Sequence, residues 1–219
     1  MIKYVIFDMD GTLFNTEVLY REAWIRTSAD WGLDNAESLY PSVVGNGEGN
    51  IIEIMKRVYG SDRDYQAFFK DRDVYYHKFI EDDIPLKDGC FEILEFLKQN
   101  GIKMALATST RQDTAQSNLK RTGIYDFFDA IVTGDMVEHG KPAPDIFLKA
   151  GEFIGANREE TAVCEDSFNG IRGAYAAKMK PIMVIDQLEP TQEIKQISYA
   201  IGNSLFDVIE LIKKENNII

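Results

Sequence analysis

The chain opens on an unbroken apolar run, Tyr4-Val5-Ile6-Phe7, which stops at two carboxylates one residue apart, Asp8 and Asp10, followed by Gly11-Thr12-Leu13. A continuous apolar run too short for a helix predicts a strand buried on both faces. After Leu13 the period changes. Val18, Leu19, Ala23, Trp24 and Ile25 give a stripe of helical spacing from Glu17 to Trp31. Three more helical segments are expected: near Glu37 to Leu39, at Asn50 to Tyr59 on Ile51, Ile52, Met55 and Val58, and at Asp64 to Ile80 on Tyr65, Phe68, Phe69, Tyr76 and Phe79. Glu81-Asp82-Asp83-Ile84-Pro85 should break the last of these, because proline disfavours helical geometry in the residue before it.

From Asp88 onward strand and helix patterns alternate. A helix to Asn100-Gly101 precedes the apolar run Ile102 to Ala107. A helix from Gln112 to Thr122 precedes the run Ala130 to Val132, and one from Asp145 to Ile154 precedes Thr161 to Cys164. A helix from Phe168 to Lys178 then leads to Ile182 to Ile185, and the tail from Lys213 to Ile219 is expected to fray. Such alternation with short connections predicts an α/β fold, a doubly wound parallel sheet with helices on both faces. The helical stretch interrupts it, which predicts an α/β core of residues 1–14 and 88–219 with a helical cap, 15–87, inserted just after the acidic turn.

Composition narrows the partners. The 219 residues carry a formal net charge of −12, and the isoelectric point is near 4.7. That argues against a nucleic-acid backbone or an anionic membrane surface as the main partner. An acidic protein that handles an anionic substrate needs local cations, so a bound metal is plausible in advance. Only two cysteines occur, Cys90 and Cys164, both within apolar patterns and expected as buried free thiols in a reducing, cytoplasmic setting. No apolar stretch reaches the roughly 18 residues of a membrane span. A soluble monomer is expected.

In an open parallel sheet, ligands bind beyond the carboxyl ends of the strands, so the residue after each apolar run is the one to inspect. The first run ends in Asp8 and the second in Thr108-Ser109-Thr110-Arg111. The third leads into Thr133-Gly134-Asp135 and then Gly140-Lys141-Pro142, and the fourth ends in Glu165-Asp166-Ser167. Each has a bland reading: turn chemistry for Asp-x-Asp-Gly-Thr, a helix cap for Thr108 to Thr110 or for Glu165-Asp166, a solvated loop charge for Lys141. Their joint placement at one sheet edge weighs against four separate coincidences. Two acidic pairs brought close together repel unless a cation intervenes, and a hard divalent ion such as Mg²⁺ takes oxygen ligands from one or two carboxylates plus a substrate phosphate. His139, beside Gly140-Lys141, could line the site; His77 lies in the helical insertion and reads as an ordinary histidine.

These residues resemble the haloacid dehalogenase-like hydrolase superfamily, and within it the phosphatase and β-phosphoglucomutase-like group. Four motifs match in order: Asp8-Met9-Asp10-Gly11-Thr12, Thr108, Lys141 within Gly140-Lys141-Pro142-Ala143-Pro144-Asp145, and Glu165-Asp166-Ser167-Phe168-Asn169-Gly170. The resemblance implies a Rossmann-like core and a Mg²⁺-dependent phosphatase that hydrolyses a small phosphorylated metabolite, a sugar phosphate, through an aspartyl-phosphate on Asp8. It implies Asp10 as general acid and base, phosphate contacts from Asp8, Met9, Asp10, Thr108, Ser109 and Lys141, and a metal held by Asp8, the Asp10 carbonyl and Asp166. Glu165 would either join the metal or order a water or the lysine. Asp10 itself favours phosphoryl transfer over dehalogenation, since a halide needs no proton to leave and an alkoxide does.

The cap should carry specificity through Tyr20, Asn46, Glu48 and Arg72. It departs from the β-phosphoglucomutase pattern, which has an acid where Asn15 stands, a histidine at Tyr20 and a phosphate-binding arginine in the loop that here offers Glu48, while Arg72 is a candidate to compensate. Water is therefore favoured as acceptor, with a phosphomutase, or a pyrophosphatase or nucleotidase, as alternatives. A phosphoacceptor signalling module is disfavoured, because the candidate nucleophile sits on the first strand and a helical insertion follows.

Overall fold

The structure is a computed structural model and describes residues 1–44 and 48–218. Six strands form one parallel sheet in the order β3-β2-β1-β4-β5-β6: β1 (Tyr4–Phe7), β2 (Lys103–Thr108), β3 (Ala130–Thr133), β4 (Thr161–Glu165), β5 (Lys180–Val184) and β6 (Ala200–Gly202). The first strand is central. Tyr4 to Phe7 pair with Lys103 to Leu106 on one side and with Thr161 to Cys164 on the other. The strand order reverses at β1, and the crevice at such a switch point opens beyond the carboxyl ends of the strands. Asp8 is the residue that follows β1.

Period-two alternation divides the apolar residues between the faces. Ile6, Ala105, Ala107, Val132 and Val163 pack against Ile146, Phe147 and Ala150 of α7 (Asp145–Phe153) and Ala174 of α8 (Phe168–Ala176). The alternate set, Val5, Phe7, Met104 and Leu106, is equally buried. Helices α5 (Cys90–Gln99) and α10 (Leu205–Asn216) pack against one another and against β2 and β5. Two further helices, α6 (Gln112–Arg121) and α9 (Gln192–Ile197), complete the connections. Both cysteines are free and buried, and burial pushes the Cys90 thiol up to about 12 and that of Cys164 higher still, so neither is reactive.

The chain divides into two compact units, Met1–Asn15 with Leu86–Ile219, and Thr16–Pro85. The junctions fall at 15/16 and 85/86 instead of 14/15 and 87/88. Lys87 N donates to Leu13 O (2.8 Å) and Phe14 bridges Leu86, which ties the returning chain to the turn after β1. The second unit holds α1 (Glu17–Asp30), α2 (Ala36–Leu39), α3 (Glu48–Tyr59) and α4 (Tyr65–Asp82) around Trp24, Tyr40, Met55 and Phe68. Trp24 donates its indole N–H to Ala36 O (3.0 Å) and meets Phe68 edge-on with ring centres 5.1 Å apart. The last helix of this unit runs two residues past the expected break, because Pro85 restricts Ile84 and leaves Glu81 and Asp82 free to stay helical.

The C-terminal stretch is the larger correction. The tail expected to fray is helical to Asn216, and its side chain accepts from Ile2 N and donates to Ile2 O, each at 2.7 Å. Leu205, Val208, Ile209 and Ile212 bury one stripe of α10, and that burial holds the helix more firmly than its polar end suggests. Among the described residues, no helix is long and apolar enough to cross a membrane.

Candidate active site

The turn after β1 is built around Gly11, whose φ of +80° is open to glycine at little cost. A Cβ there would also stand 2.4 Å from Asp166 Oδ2. The glycine therefore lets the β4 edge close on the acidic turn, and Thr12 completes the contact by donating its hydroxyl to Asp166 Oδ1 (2.9 Å). Met9 is buried, and its carbonyl accepts from the amides of Leu13 and Phe14 (2.9 Å each).

Lys141 is the hub of the charged groups. Its ammonium donates to Asp8 Oδ1 and to Glu165 Oε1, the latter at 2.8 Å, and lies 5.2 Å from the Phe147 ring centre. Burial pulls Lys141 down, but the Asp8 and Glu165 carboxylates outweigh it, and the net shift is upward, so the ammonium stays charged. Asp8 is itself buried at 7% exposure. Desolvation, helped by the charges of Glu165 and Asp10, pushes it up to about 8 against the pull of Lys141. Asp166 is also held well above the usual range, by burial and then by Glu165 and Asp8. Asp8 and Glu165 thus share one ammonium, and Asp10 and Asp166 add to the negative charge around Asp8.

Glu165 reaches the lysine, one of the partners expected for it. One oxygen accepts from Lys141 and the other from Ser167 N (2.6 Å). Gly170 makes this possible, because a Cβ there would fall 1.8 Å from the Glu165 carboxyl carbon. Ser167 caps α8 by accepting from Gly170 N (3.0 Å). The Gly170 contact had no signal in the hydrophobic pattern.

On the β2 side, Thr108 is buried at the strand end and its hydroxyl accepts from Thr110 N (3.1 Å). Thr110 in turn donates to Asp10 Oδ2 (2.8 Å), a partnership that sequence reading did not find. Ser109 is exposed, and its carbonyl packs against Gly134. His139 pairs with Asp145 (3.1 Å) in an exposed position. Asp8, Met9, Asp10, Thr108, Lys141, Glu165 and Asp166 therefore meet at one end of the sheet, and all belong to the first unit. Among the described residues, no three His, Cys, Asp or Glu side chains converge into a ready-made metal cage.

The second unit has a pocket of its own, about 140 Å³, lined by Glu17, Tyr20, Trp24, Tyr40 and Arg72 among others. Tyr20 stacks on Tyr76 with ring centres 3.8 Å apart. Arg72 lies 4.8 Å from the Phe69 ring centre and 5.7 Å from that of Tyr20, and pairs with Asp73 through Nη2 (2.6 Å). Its side chain is 14% exposed, so it is held among aromatic rings and not freely solvated. Burial and a hydrogen bond with Glu17 push the Tyr40 hydroxyl upward; neither residue stood out in the sequence. Glu48 is exposed in the first turn of α3, where a carboxylate complements the helix dipole. Asn46 lies outside the described residues.

Residues 2–178 match the family model described as haloacid dehalogenase-like hydrolase. The chain belongs to this family, as the four motifs suggested, and is an enzyme of its hydrolase class. A phosphorylated carbohydrates phosphatase of Thermotoga maritima is 35% identical over 181 residues, 83% of this chain and 84% of the relative. The fructose-1-phosphate phosphatase of Escherichia coli is 30% identical over 183 residues, 82% of this chain and 95% of the relative. Among solved structures, a Thermotoga maritima protein provisionally assigned as a β-phosphoglucomutase aligns with a TM-score of 0.80 at 31% identity, over 97% of this chain and 99% of that one.

Proposed function

We propose that this chain is a Mg²⁺-dependent phosphatase that hydrolyses a small sugar phosphate through an aspartyl-phosphate on Asp8. The observation that carries the reading is the shared ammonium of Lys141, held between Asp8 and Glu165 at the end of the central strand. A buried carboxylate with its own fixed cation is arranged to meet a dianionic phosphoryl group without a large electrostatic penalty. The metal fits the donors present. Asp8 and Asp166 offer oxygen only, Gly11 brings the Asp166 carboxylate against the acidic turn, and the surplus of carboxylates over the single Lys141 ammonium suits a divalent cation. Asp8, Asp166 and the Asp10 carbonyl would hold it. When bound, it supplies charge neutralisation for the phosphoryl oxygens and lowers the proton affinity of Asp8.

The chain's own residues supply the remaining steps. An Asp8 carboxylate oxygen forms a bond to phosphorus as the bond to the leaving oxygen breaks, and Asp10 passes its proton to that oxygen. A water then attacks phosphorus, gives its proton to Asp10, and the bond to Asp8 breaks, releasing phosphate and restoring both acids. Thr108 and Lys141 donate to the phosphoryl oxygens in both halves. The sugar-phosphate preference is supported by the two phosphatase relatives, which act on phosphorylated carbohydrates and on fructose 1-phosphate.

Asp8→Asn tests the mechanism. With Mg²⁺ and 4-nitrophenyl phosphate the variant should lose hydrolysis by about a thousandfold or more while keeping its circular dichroism spectrum. Undiminished turnover would overturn it. A panel of phosphate monoesters, scored for released phosphate, then names the substrate; isomerised sugar without free phosphate would replace the hydrolase reading with the mutase one.

A further inference from the structure

We propose that Thr110 is the positioning residue of the general acid: its hydroxyl sets the rotation of the Asp10 carboxyl toward the leaving oxygen. The inference rests on the reading of Asp10 as acid and base. The Thr110 hydroxyl donates to Asp10 Oδ2 across 2.8 Å. That makes Oδ2 the acceptor and Oδ1 the oxygen that carries the transferable proton, which moves to the leaving group and is later replaced from water. An aspartate turns about two side-chain bonds, and an acid misplaced by an ångström can lose about a hundredfold in rate.

The backbone of Thr110 is built to hold that hydroxyl still. Its N–H donates to Thr108 Oγ1 (3.1 Å) and its carbonyl accepts from Gly134 N (3.3 Å). Gly134 reaches this position because it has no side chain, since a Cβ would stand 2.4 Å from Ser109 O. Asp135 then ties the two loops together, accepting from Thr133 Oγ1 (2.6 Å) and from Gln112 N (3.2 Å) through the same oxygen. The loops after β2 and β3 therefore form one braced unit whose polar product is the donor to Asp10. A hydroxyl serving only its own loop would have no reason to face an acid in the turn after β1.

Leaving-group dependence tests the proposal, because a positioned acid matters most when the departing oxygen is basic. For native enzyme, Thr110→Val, Thr110→Ser and Asp10→Ala, kcat/KM is measured with Mg²⁺ on 4-nitrophenyl phosphate, phenyl phosphate and glycerol 1-phosphate. Thr110→Val should lose about tenfold or more on glycerol 1-phosphate and less than about twofold on 4-nitrophenyl phosphate, and Thr110→Ser should recover most of the loss. An equal loss on all three esters, or no loss, overturns the positioning role, and equal loss with an altered circular dichroism spectrum assigns Thr110 to loop structure alone. Asp10→Ala separates the two levels. If it retains glycerol 1-phosphate hydrolysis, the acid–base reading itself fails; if it is inactive while Thr110→Val is unimpaired, only the positioning role fails.

Discussion

Gly170 lies against the Glu165 carboxylate so closely that a single methyl group at residue 170 would fall 1.8 Å from the glutamate's carboxyl carbon. Glu165 holds Lys141, and Lys141 holds Asp8, so a helix glycine with no side chain governs the placement of Asp8.

Gly170→Ala should accordingly be harmful although alanine is the better helix former by about 1 kcal/mol. The clash displaces a buried, doubly hydrogen-bonded carboxylate, at a cost of about 1–3 kcal/mol. Thermal unfolding should show a lower Tm, and kcat should fall by about tenfold or more. A variant more stable than the native chain would show that Glu165 moves aside freely.

Lys141→Met leaves Asp8 and Glu165 buried without their ammonium, which should destabilise the fold by about 3–5 kcal/mol as well as abolish turnover. Adding Glu165→Gln removes the stranded Glu165 charge. The double variant should regain part of the stability, measured by urea unfolding, and none of the activity. Additive losses would mean that the three groups are not energetically coupled.

The proton affinity of the site fixes a direction with pH. Asp8 binds its proton up to about pH 8 in the folded chain, against an ordinary value of 3.8, and Asp166 shifts the same way. A carboxyl that titrates higher when folded stabilises the fold below its unfolded value, and that contribution is lost as pH rises through the folded value. In EDTA, Tm should therefore fall between pH 6 and pH 8. The rise in Tm caused by Mg²⁺ should grow over the same interval, because the ion competes with the protons. A Mg²⁺ effect independent of pH would place the ion away from these acids.

Asn216→Ala removes both hydrogen bonds to Ile2 and should cost about 1–2 kcal/mol in urea unfolding, with the catalytic constants little changed. A frayed end would give no measurable change.

How far the sequence could be read depended on the kind of signal. Strands β1, β2 and β4 are short apolar runs that end in chemistry, and helices such as α3 and α4 carry full apolar stripes, so the central sheet, the inserted helices and the acidic, hydroxyl and lysine positions were legible. The stretch after β5 was not. Helix α9 buries only Ile194, and β6 is three residues with exposed Ile201 in the middle, so neither contains a full period of any pattern. The links between site residues were equally silent. Thr110 reaching Asp10 is a contact between the ends of two strands, and Gly170 fitting against Glu165 depends on how α8 turns back onto the end of β4, so no apolar period encodes either. The division of labour in Glu165-Asp166 shows the same limit: adjacent acids point to different partners, one to Lys141 and the other to Thr12, and only the helix that begins at Phe168 decides which faces which.

Asp8 follows directly on β1, yet β1 has no partner until Lys103 to Leu106 exist, and no second one until Thr161 to Cys164 do. Closing such long loops is entropically slow and exposes strand edges in the meantime. During synthesis the helical unit, Thr16–Pro85, whose contacts are local, is free to condense first, while Asp8 waits in an unfinished sheet. Asp8 is thus synthesised well before Lys141 and Glu165, the groups that enclose it, and before Asn216, which ties down Ile2.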